Sequence, residues 1–109
     1  MEIIELNGKK YAEVVTNSKV YLIRTYSAGV HIGTLKSRTG KEVVLTGARR
    51  LWQWKGACSL SQVAVDGVDL SGSRISVIVT EITLTEAIEV IPMSVKAATQ
   101  IMGAESWKN

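Results

Sequence analysis

The chain has 109 residues, 46% of them hydrophobic, and a net charge of +3, which suits a single domain over residues 1–109 and leaves little room for a second. No apolar run approaches the roughly 20 residues that a membrane span needs, and Met1-Glu2-Ile3-Ile4-Glu5 lacks the basic-then-apolar order of a signal peptide. A lone cysteine, Cys58, excludes an internal disulfide and a cysteine-held metal cluster, and a cytoplasmic location is the simplest setting.

Runs rich in Val, Ile, Thr and Tyr alternate with turn residues up to Pro92, the pattern of an antiparallel β domain. Ile3–Leu6 and Tyr11–Thr16 flank Asn7-Gly8, a hairpin signal because both residues tolerate positive φ. Val20–Tyr26 and Val30–Ser37 are the next two strands, separated by Ser27-Ala28-Gly29. Thr39-Gly40 turns the chain into Lys41–Thr46, and Gly47-Ala48 leads into a further strand, Arg49–Trp54. Ser59–Val65 has room for one or two helical turns before the Asp66-Gly67 turn. Arg74–Val79 and Thr83–Ile91 read as late strands, and Pro92 closes the β region because it donates no ladder hydrogen bond. Ser94–Met102 reads as the one clear helix. Ser94 can cap its start, Gly103 suits a left-handed C-cap, and Val95, Ala98 and Met102 fall on one face. The expected fold is mainly β (α+β), a compact antiparallel β domain with one C-terminal helix.

Charge is distributed unevenly. Residues 19–56 hold eight basic side chains against Glu42 alone, a local balance of +7 that leaves −4 for the remainder. Such a split suits a face for a nucleotide or a nucleic acid, although the same charges could fan out over several solvated faces.

Catalysis is not expected. His31 is the sole histidine, so no site with several histidine ligands can form, and it falls mid-strand without a Gly-x-Ser-x-Gly elbow nearby. It reads as a partly exposed strand residue, and Cys58 as a small buried thiol. Neither the phosphate loop nor the dinucleotide-binding glycine fingerprint occurs. Glu81, Glu86 and Glu89 read as a solvated strand edge rather than an acid–base pair. No cofactor is expected.

Two segments stand out as candidate binding elements. In an unbroken strand, Arg50, Trp52 and Trp54 share one face, while Arg49, Leu51 and Gln53 share the other. Two indoles beside a guanidinium can stack on a purine and pair with phosphate, a combination also found in single-strand nucleic-acid binders. Equally, Trp52 and Trp54 can fill the core of a chain that has no Phe. In the second segment, Arg24 to His31, the small residues Ala28 and Gly29 let a ligand or another chain approach the backbone. Arg24, Tyr26, Ser27 and His31 would surround that gap. The ordinary alternative is a tight strand connection in which Gly29 supplies the required φ.

The strings Arg24-Thr25-Tyr26-Ser27-Ala28-Gly29-Val30 and Ala48-Arg49-Arg50-Leu51-Trp52, with Gly56–Val68 and Leu84–Pro92, resemble a widespread family of short phage and prophage proteins across residues 19–103. Many of these are described only as domains of unknown function. The β-rich body with a C-terminal helical part is also similar to the first-described Thoeris anti-defence family. Those phage proteins are sponges that bind the defence system's cyclic ADP-ribose signal without degrading it. Some also hold cyclic oligonucleotides, and they assemble from dimers with ligand at subunit interfaces. The resemblance implies a homo-oligomeric counter-defence protein in the infected cell's cytoplasm, with a small nucleotide-type signalling ligand as its partner. It implies Arg24, Ala28, Gly29, Arg49, Arg50 and Trp54 as contacts. The alternatives are a nucleic-acid-binding accessory protein and a structural or interaction protein of the phage particle.

Overall fold

The computed structural model describes residues 19–107, so the hairpin expected around Asn7-Gly8 lies outside the described residues. Strands β1 (Val20–Thr25), β2 (Val30–Thr39), β3 (Glu42–Gln53), β4 (Arg74–Ile75), β5 (Val79–Leu84) and β6 (Ala87–Pro92) form one antiparallel sheet. Its order is β4-β3-β2-β1-β6, with β5 also paired to β3. Helix α1 (Leu60–Asp66) precedes the C-terminal helix α2 (Val95–Met102). The mainly β fold with a C-terminal helix is thus present, with α1 in addition.

Gly47-Ala48 does not separate two strands. Ile32 pairs with Arg49 and Thr34 with Thr46, so Gly47 and Ala48 together oppose Gly33. The positive φ of Gly47, 57°, serves a β-bulge inside one long strand rather than a turn. A Cβ on Gly33 would lie only 3.0 Å from Ala48 Cα, so the backbones pass closely where the hairpin bends.

The strand expected over Arg74–Val79 is interrupted instead. The Ser76 hydroxyl accepts from Arg50 N–H at 2.8 Å, taking a donor that a continuous ladder would give to a carbonyl. Pairing resumes only at Val79, opposite Ala48. The expected Thr83–Ile91 strand also divides, because β5 and β6 pair at opposite edges of the sheet while only Thr85 and Glu86 lie between them. Three Cα steps span roughly 10 Å, so the sheet must curl until its edges meet at that end. Ala87 N–H accordingly donates to Lys41 O, at the tip of the β2–β3 hairpin, at 3.0 Å.

Curling creates two cores from the alternating faces of the strands. Ile23, Val43, Leu45, Ala48, Leu84 and Ala87 are buried inside the curl. Leu22, Ile32 and Leu51, on the other face, pack with Val63 and Ala64 of α1 and Ala97, Ala98 and Ile101 of α2. Both helices start on a serine cap: Ser59 Oγ accepts from Gln62 N–H, and Ser94 Oγ from Ala97 N–H. Gly103 has φ −91° and is not the left-handed cap expected of it. The last carbonyls of α2 have a different partner, Arg49, described below. No helix among the described residues is long and apolar enough to cross a membrane.

Candidate functional site

Pairing of β2 with β3 sets His31 opposite Arg50 and Val30 opposite Leu51, so the two segments singled out in the sequence meet. A cavity of about 530 Å³ is lined by Ser27, Ala28 and Gly29 on one side and Arg50, Trp52 and Trp54 on the other. A second, of about 250 Å³, is lined by His31, Ser76, Val77 and Val79 together with Arg50 and Trp52. Arg50 and Trp52 therefore stand between the two. The guanidinium carbon of Arg50 lies 4.8 Å from the Trp52 ring centroid, a cation–π stack that leaves the N–H edge of the fork available to an anion. Trp52 is 55% exposed.

The rim formed by residues 25–29 is stapled by its own hydrogen bonds. Thr25 Oγ1 accepts from Ala28 N–H and donates to Gly29 O, both at 2.8 Å. The Ser27 hydroxyl donates to the Glu86 carboxylate. Gly29 adopts φ 83°, which a side chain would strain.

His31 is 2% exposed rather than partly exposed as expected, because the curl covers its face of β2. Its Nε2 is 2.9 Å from Ala28 O, so the neutral ring serves as donor and braces the turn. Burial lowers its pKa most; the Ala28 carbonyl opposes that shift, and the Arg50 charge adds to it. The unfolded chain takes up a proton near pH 6.5, whereas the folded chain resists until lower pH. Between those values the unfolded state binds more protons, so this contribution to stability is intact above about pH 6.5 and lost as pH falls through the folded pKa. Thermal melts from pH 7.5 to 5 should show a steeper acid-side fall for the native protein than for His31→Gln. Parallel curves would remove His31 from the linkage.

Arg49 does not join the site as a free cation. It is only 2% exposed, on the sheet face that receives α2. Nη1 donates to Ile101 O at 2.9 Å and Ala104 O at 2.7 Å, Nη2 to Ser106 Oγ at 3.1 Å, and Nε to Ser76 O at 2.9 Å. A cation at the carbonyl end of a helix is favoured by the unpaired C=O groups and the helix dipole. Burial pulls its pKa down, but a guanidinium starts so high that the charge persists.

Arg24 and Tyr26 fall elsewhere. Arg24 lies across the β1–β6 pair with Glu89, 3.6 Å away and half exposed. Tyr26 is 79% exposed and lines neither cavity. Trp54 does both things expected of a tryptophan here: it packs against the helix-side core and lines the larger cavity with Arg50 and Trp52. Cys58 is exposed, not buried.

Sequence reasoning missed Ser76 and Val77, whose position depends on the strand break, and a second indole beside the site. Trp107, which follows α2, lies 6.3 Å from Trp52 with the rings at 64°. Arg74 stacks on Trp107 at 5.1 Å. No periodicity marks either residue. Among the described residues, no group of three or more His, Cys, Asp or Glu could hold a metal ion.

A family model described as a domain of unknown function (DUF6948) matches residues 18–101. No curated protein and no solved structure matches the chain.

Proposed function

The chain belongs to the DUF6948 family, and we propose that it binds a small anionic ligand of nucleotide type and holds it without cleaving it. The biological reading is a phage counter-defence protein that sequesters a cyclic nucleotide-type immune signal, a cyclic ADP-ribose isomer or a cyclic oligonucleotide. One observation carries it. Arg50 lies on Trp52 between two cavities, and among the described residues no carboxylate pairs with it, whereas Arg24 and Lys36 each have one. A fixed guanidinium answers a phosphate and an exposed indole answers a base. The Ser27–Gly29 backbone faces them across the larger cavity. Sequestration needs affinity and abundance, not groups that activate a nucleophile. Both cavities are open to solvent, and a second copy of the chain would enclose them by symmetry.

A second reading, single-stranded nucleic acid, is favoured by the exposure of Trp52 and Trp107 side by side, since successive bases stack on such platforms. Purified protein mixed with cyclic ADP-ribose isomers and cyclic di- and trinucleotides separates the two. A ligand at 100 times its dissociation constant stabilises the fold by about 2.7 kcal/mol, so the melting temperature should rise, and heating should return the ligand intact. Arg50→Ala and Trp52→Ala should each weaken binding at least about tenfold. Light scattering on the same mixtures reads self-association. Cleaved ligand would mean an enzyme. No shift, together with steeply salt-sensitive binding to an oligonucleotide, would transfer the case to the second reading.

A further inference from the structure

The Arg50–Trp52 pair has a counterpart that the sequence does not announce. Trp107 is 47% exposed, yet it is firmly placed. Its backbone N–H donates to Ile75 O at 2.8 Å, which fastens the tail to β4. One and three residues earlier in the tail, the Arg49 guanidinium grips Ser106 Oγ and Ala104 O. A large indole fixed by its backbone and still half in water is not filling a core; its exposed area remains available. Arg74, from β4, lies over it at 5.1 Å, as Arg50 lies over Trp52 at 4.8 Å. The two indoles meet edge to face at 6.3 Å. The surface thus presents guanidinium, indole, indole, guanidinium in sequence. Beyond Trp107 lies a cavity of about 420 Å³ lined by Ser71, Ser73, Glu105 and Ser106; the serine hydroxyls, engaged by Asp69 and Arg49, keep lone pairs that can accept from a sugar hydroxyl.

We infer that Arg74 and Trp107 form a second base-and-phosphate station, and that the ligand class of this site is one with two nucleotide units. The inference rests on the proposed nucleotide-binding role and specifies it. Each indole offers a stacking surface and each guanidinium an anion partner, so a mononucleotide fills half of the array and a dinucleotide the whole. Because the two indoles already stand side by side before binding, the second unit binds with a reduced ordering cost.

Titration of the full chain with AMP and with the linear dinucleotide pApA tests this, followed by tryptophan fluorescence. The dinucleotide should bind at least about tenfold more tightly. Trp107→Ala and Arg74→Ala should each bring pApA down to the AMP level while changing AMP affinity by no more than about twofold. A purely structural role for Trp107, supporting Trp52, would instead weaken both ligands alike and would overturn the inference. Arg74→Ala removes only a surface cation, so it keeps the test valid if the tryptophan variant folds poorly. Equal affinity for AMP and pApA also overturns it. Binding of neither, while cyclic nucleotides still raise the melting temperature, overturns this inference alone. Binding of neither without any such rise overturns the nucleotide reading as well.

Discussion

Arg49→Met should cost about 3 kcal/mol of folding stability, while Arg50→Met costs less than about 1 kcal/mol. The two arginines are adjacent in sequence and alike in chemistry, but they face opposite sides of β3. Arg49 donates to carbonyls of Ile101 and Ala104, to Ser76 O and to the Ser106 hydroxyl. Methionine fills much of the volume and donates nothing, so four buried or part-buried acceptors each lose a donor at once. Each such loss carries a desolvation penalty rather than the small net value of a hydrogen bond. Arg50 leaves only its stack on Trp52. For a chain of this size the Arg49 variant should melt more than about 10 °C lower. Differential scanning calorimetry on both variants decides the matter, and similar melting temperatures would mean that Arg49 does not latch α2.

Leu45→Ala should cost a comparable amount, about 3 kcal/mol. Leu45 is fully buried inside the curl beside Ile23, Val43, Ala48, Leu84 and Ala87. That core cannot readily collapse onto the space left behind. Its walls are tied together by the Thr85-Glu86 connection and by the close passage of Gly33 over Ala48. A cavity that persists adds its own penalty to the lost transfer energy. Urea denaturation should show the midpoint falling with an unchanged slope. A loss below about 1 kcal/mol would mean that the curl can close around the gap.

Much of the fold was legible because its determinants are local. The β-rich runs Val20–Thr25 and Val30–Thr39 with turn residues between them, and the serine ahead of α2, act within a few residues. Where local signals were ambiguous, tertiary structure decided. Gly47 needs a positive φ in a bulge as much as in a turn, so the residue alone could not distinguish one long strand from two. Nothing near Arg49 marks it as the arginine whose face receives α2, and its acceptors in and after α2 lie more than fifty residues away in sequence. Trp107 joins Trp52 for the same non-local reason. Within the candidate site, the β2–β3 register brought Ser27, Ala28 and Gly29 opposite Arg50, Trp52 and Trp54 around one cavity. Arg24 and Tyr26 were left outside because β1 is flanked by β6, on the other side from β3.

The pairing of β1 with β6, Tyr21 opposite Pro92, also governs when this protein can finish folding on a ribosome. β1 emerges early but has only the hairpin beside it until β6 has been synthesised. Contacts of such sequence separation are slow to form because chain entropy must be lost before they are gained. The buried guanidinium of Arg49 waits longer still, since Ala104 and Ser106 lie after the last helix. Until those residues are in place, the guanidinium has Ser76 O and water as acceptors, and the sheet face that receives α2 has no cover. Residues 104–107 therefore hold the segment after α2 to the sheet through Arg49 and Ile75 rather than trailing from it.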